Sequence, residues 1–110
     1  MRLFVVLSVC VLSASAVSAD STKEEVCDIT ATVVTQAQEM RLDGKTSRRA
    51  VRLLKREYAD RSERFRETAI PMLVNDFVYA QSEEVMDQDL AAAWKSTCLS
   101  ADLSSVLGTD

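Results

Sequence analysis

Two glycines, Gly44 and Gly108, and one proline, Pro71, are all that punctuate a chain of 110 residues. A β-sandwich or barrel needs a turn signal every ~8–12 residues, so this scarcity excludes an all-β fold and leaves long helices joined by few breaks. Hydrophobic residues make up 47% and charged residues 27%, the balance of one globular domain rather than a disordered chain. Histidine is absent, which removes His-based catalysis and His-ligated metal sites.

The chain opens as an export signal. Arg2 precedes the apolar run Leu3–Leu12, and Val17-Ser18-Ala19 offers small residues ahead of a cut before Asp20. The run is shorter than the ~20 apolar residues needed to span a bilayer. Residues 1–19 are therefore read as a signal peptide, residues 20–100 as a helical domain and residues 101–110 as a loosely ordered tail. Export places the domain in the periplasm or outside the cell, with no transmembrane segment.

Cys10 leaves with the signal, and the two cysteines that remain, Cys27 and Cys98, lie 71 positions apart. An even count in an oxidising compartment predicts a disulfide. The spacing is unlike a redox-active Cys-x-x-Cys, and two thiolates without His make a poor zinc site, so the bridge is read as structural.

Four helices are expected. Overlapping capping boxes, Ser21 to Glu24 and Thr22 to Glu25, start the first, and Asp43-Gly44 ends it, giving roughly 23–42 with Val26, Ile29, Val33, Ala37 and Met40 inward. Thr46 or Ser47 caps the second, about 47–69. Its acid-before-base pairs Glu57/Arg61 and Asp60/Arg64 favour helix through a polar stretch, although a break near Asp60 is possible. Pro71 opens a short third helix with Ile70, Leu73, Val74, Phe77 and Val78 inward, since proline disfavours helix in the residue before it. Ser82-Glu83-Glu84 starts the fourth, which carries Met86, Leu90, Ala93, Trp94 and Cys98 on one face to about Leu99. In an up-down-up-down arrangement the first helix starts where the fourth finishes, which brings Cys27 to Cys98. The fold class is thus all-α, a small irregular four-helix bundle closed by one disulfide.

Charge is unevenly spread. Between Arg41 and Arg66 ten Lys or Arg stand against four Asp or Glu, within an acidic protein of net charge −4. On a helical wheel Lys45, Arg48, Arg49, Arg52, Lys55 and Arg56 share an arc of roughly 120°, opposite Val51 and Leu54. This basic stripe is either a docking face for an acidic partner, an anionic polymer or a lipid head-group surface, or a face solvated or paired within the protein. Nucleic acid fits poorly, because the chain is acidic and has no aromatic residues among these bases. Glu24/Glu25, Glu83/Glu84 and Asp87/Asp89 sit where helix starts favour negative charge, and Asp87-Gln88-Asp89 lacks the pattern of a calcium loop. No catalytic residue, metal site or cofactor motif is read from the sequence.

With a Cys at the start of its first helix, Arg41-Leu42-Asp43-Gly44-Lys45-Thr46 at that helix's end and a second Cys late in the last, the chain resembles short secreted bacterial helical proteins with one disulfide. In architecture it also resembles the HdeA-type periplasmic acid chaperones. The expected function is non-enzymatic protein–protein interaction by an exported domain. The HdeA-type resemblance implies an acid-stress chaperone as an alternative, and size and compartment also suit an immunity protein against a secreted enzyme.

Overall fold

The computed structural model describes residues 19–101, with side chains described from Lys23 onward. The leader expected at 1–19, apart from Ala19, and the tail beyond Ala101 lie outside the described residues. Within them the chain is all-α: a first helix Ala19–Leu42, a second Ser47–Glu57, a third over 63–78, and a last Leu90–Ser100.

The elements alternate in direction. Cys27 meets Cys98, Asp28 meets Lys95, Thr30 meets Trp94 and Gln38 meets the carbonyl of Met86, so one index rises as the other falls. The first and last helices are therefore antiparallel. Gln36 with Glu57 and Lys55 with Glu67 show the same reversal at the next two corners. The result is the expected up-down-up-down bundle, closed by the Cys27–Cys98 disulfide with its Cα atoms 5.6 Å apart.

Four boundaries differ from the sequence expectation. The first helix already includes Ala19, ahead of the expected start at 23, so Ser21 and Thr22 lie inside it and not at its cap. Serine and threonine cost at most ~0.7 kcal/mol each inside a helix, so the helix can pass through the capping boxes.

The second helix stops at Glu57 rather than 69, and residues 58–62 turn the chain, which is the break near Asp60 that the sequence allowed for. The i,i+4 pairs expected to carry it to 69 are each worth only ~0.2–0.5 kcal/mol, less than burying Phe65 beside Tyr58 contributes. Their rings lie 5.6 Å apart across the bend.

The third helix passes through Pro71 instead of starting there, and Ile70 keeps helical angles of φ −61° and ψ −50°. Most of this helix is wound as π-helix, in Phe65–Ala69 and Met72–Val78. A proline ring clashes with the carbonyl four residues back in an α-helix, and the wider i→i+5 winding relieves that crowding. The Ile70 N–H accordingly reaches the carbonyl of Phe65, and that of Tyr79 reaches Val74 at 2.8 Å.

The last helix begins at Leu90, with the Asp89 carboxylate accepting the Ala92 N–H at 3.0 Å. Glu83–Val85 forms only a short 3₁₀ turn. Gln38 holds this connection by donating to the carbonyls of Met86 and Gln88 at 2.7 and 2.8 Å, so its backbone is satisfied without a helix.

The core joins all four helices. Val33, Val34, Ala37, Leu54, Ile70, Leu73, Val74 and Val78 are fully buried, with Phe65, Met86, Leu90 and Trp94 nearly so. On the first helix the expected Val33 and Ala37 are fully buried together with Cys27, Thr30 and Val34, and the expected Val26, Ile29 and Met40 are partly buried beside them. Ala93 is exposed rather than inward.

Candidate functional site

The basic stripe is positioned by a rigid corner. Gly44 takes φ +88°, a left-handed conformation that suits glycine. Its N–H donates to the Arg41 carbonyl and that of Lys45 to the Met40 carbonyl, at 3.0 and 2.9 Å, which together form a Schellman closure of the first helix. Tyr79 donates its phenol to the Lys45 carbonyl at 2.7 Å. Burial pushes the Tyr79 phenol above its ordinary pKa, with the Arg41 guanidinium, 5.6 Å from the ring centre, opposing in part. Thr46 then caps the second helix by accepting the Arg49 N–H at 3.2 Å.

From that corner the second helix turns Ala50 and Leu54 into the core and leaves the opposite side to the bases. Arg48, Arg49, Arg52 and Arg56 are exposed, and among the described residues none of them is within ion-pair distance of a carboxylate. Lys55 differs: its ammonium lies 2.8 Å from Glu67 of the third helix, and this contact holds the Glu67 carboxyl below its ordinary pKa. Lys45 makes only a loose contact, 3.9 Å, with Asp43. Pairing to the acidic later helices thus accounts for one residue of the six in the stripe.

The arginines stand against local preference. No acid occupies the first turn of the second helix. Arg48 and Arg49 sit there against the positive end of the dipole, and Arg48, Arg52 and Arg56 repeat like charge at i,i+4. Departures from local stability rules of this kind concentrate at functional positions.

Alongside the stripe, an open concavity of about 480 Å³ is lined by Asp43, Gly44, Lys45, Arg48, Arg49 and Arg52, with Thr46 at its base. Asp43 and the hollow itself were not signalled by the helical wheel, because the loop supplies one wall.

The aromatic side chains near the core have structural roles. Tyr58 donates to Gln36 at 2.7 Å, and Phe77 meets Trp94 edge-on at 5.5 Å. Glu24, Glu25, Glu83, Glu84 and Asp87 are exposed. Arg41, counted with the basic segment, turns inward and donates to the carbonyls of Val78 and Gln81, each at 2.8 Å. Among the described residues no three His, Cys, Asp or Glu side chains gather as a metal site, and no helix is long and apolar enough to cross a membrane.

Comparison with family models, with curated proteins and with solved structures finds no match for this chain. The likeness to HdeA-type chaperones is therefore one of helical content and a single disulfide.

Proposed function

We propose that this is an exported, non-enzymatic binding module that docks an acidic protein partner on the exposed arginine face of its second helix. The observation that carries the reading is the set Arg48, Arg49, Arg52 and Arg56, exposed and without a carboxylate partner among the described residues, on a helix whose other side is locked into the core. An acidic protein that keeps such a face open at a cost in helix stability presents a strong local field to partners of opposite sign. A buried disulfide suits a small domain in an oxidising compartment, in keeping with the signal-like leader.

The experiment is a titration of fluorescently labelled polyglutamate followed by anisotropy. Saturable binding that weakens with salt is expected, and the triple reversal R48E/R49E/R52E should lower affinity by at least about tenfold, the effect of ~1.4 kcal/mol. Reversal of Lys23, outside the face, should change little. Equal loss in both variants would return the stripe to a solvated face.

A further inference from the structure

Four cations meet one carboxylate in the concavity between the Asp43–Thr46 loop and the second helix. It is open to solvent and has a volume of about 480 Å³. Lys45 and Asp43 form one wall, and Arg48, Arg49 and Arg52 form the other across more than a turn of helix. The charge there is thus that of three guanidinium groups and not of a helix end alone. None of the three has a carboxylate within reach among the described residues, and Asp43 stands 3.9 Å from Lys45, too far for a tight pair. The rim at Gly44 is open: a Cβ built there would meet nothing within 4 Å.

A single carboxylate would answer one of these charges. A phosphoryl group carries about −1.5 to −2 and three terminal oxygens pointing in different directions, so it can accept from several guanidinium forks at once. We infer that this concavity binds a multiply charged oxyanion of the phosphoryl class, held by Arg48, Arg49 and Arg52, with Lys45 beside it and Asp43 limiting the affinity. The inference rests on reading the arginine face as functional. It assigns that face a discrete anchor at one end, whereas Lys55 and Arg56 lie outside the hollow.

The test is calorimetric titration of the full chain with inorganic pyrophosphate at low ionic strength, with acetate as comparator. One saturable site is expected for pyrophosphate and none for acetate. Arg52→Gln should weaken binding about tenfold, Asp43→Asn should strengthen it several-fold, and Lys23→Gln, outside the face, should leave it unchanged. Circular dichroism of each variant checks that the helices are intact, and the gain expected for Asp43→Asn cannot come from misfolding. No saturation by about 10 mM pyrophosphate, equal binding of acetate, or equal loss in the Arg52 and Lys23 variants would overturn the assignment. If pyrophosphate fails while polyglutamate still binds through the arginines, the anchor is wrong and the docking face stands. The opposite pair of results leaves the anchor and removes the docking face.

Discussion

The indole N–H of Trp94 donates to the hydroxyl of Thr30 at 2.8 Å, and that hydroxyl donates in turn to the carbonyl of Val26 at 2.7 Å. Thr30 is fully buried and Trp94 is 5% exposed, one turn from the Cys27–Cys98 bridge on each helix. A polar pair thus fixes the register of the two helices that the disulfide joins. Thr30→Val keeps the shape and leaves the indole N–H unpaired, which should cost about 1–3 kcal/mol in chemical denaturation. Adding Trp94→Phe removes the orphaned donor, so the double variant should be less destabilised than the sum of the singles. Additive losses would deny the hydrogen bond a role in stability.

The disulfide closes most of the domain into one loop. In the loop-entropy model it contributes on the order of 4 kcal/mol, a large share for a domain this small. Reduction should shift the denaturation midpoint strongly downward, and thiol labelling of the native oxidised protein should find Cys27 and Cys98 unreactive. Ready labelling of both without reductant would contradict the bridge.

Arg41 is a tertiary cap, binding the carbonyls of Val78 and Gln81 where the third helix ends. Arg41→Met should leave those carbonyls short of donors at a cost of about 1–3 kcal/mol. The loss should appear as faster hydrogen exchange around 78–88, with little change in the first helix. Unchanged exchange there would assign Arg41 to surface charge only.

Stability should be flat near neutrality and fall at both extremes of pH. The chain has no histidine, so its side-chain charge changes little between about pH 5 and 8. On the acid side, the Lys55 ammonium lowers the Glu67 pKa, so this contribution is present above the ordinary Glu range and is lost as pH falls through the folded value. On the alkaline side, the hydrogen bond to Asp28 raises Lys95, and burial raises Tyr58 and Tyr79. Their contributions are present below the unfolded values and are lost as pH rises through the folded ones. Glu67→Gln should flatten the acid limb of a melting-temperature profile and Lys95→Met the alkaline limb. Profiles parallel to that of the parent protein would exclude these pairs.

The helix count and most of the core were legible because they rest on local signals, and the disulfide because just two cysteines follow the signal-like leader. Gly44 closes a helix as glycine does, and Met86, Leu90, Trp94 and Cys98 recur at steps of four. What was not legible depends on partners distant in sequence. Thr30 reads as a polar interruption until Trp94 is placed beside it, and Gln38 as a surface residue until Met86 and Gln88 need donors. Pro71 marks a helix start by local rules, yet the buried residues on both sides of it, Ile70 and Leu73, hold one continuous helix in wider winding. The basic stripe was visible as charge spacing. That Lys55 is taken by Glu67 while the arginines stay open required the third helix in place.

The second helix is proposed to present a fixed basic face to an acidic partner. The most direct measurement is an NMR titration of the isotope-labelled, oxidised protein with polyglutamate. The account predicts saturable amide shifts confined to Lys45–Arg56 and the adjoining loop, abolished in R48E/R49E/R52E. Shifts centred on the first and last helices, or none at saturating polymer, would contradict it.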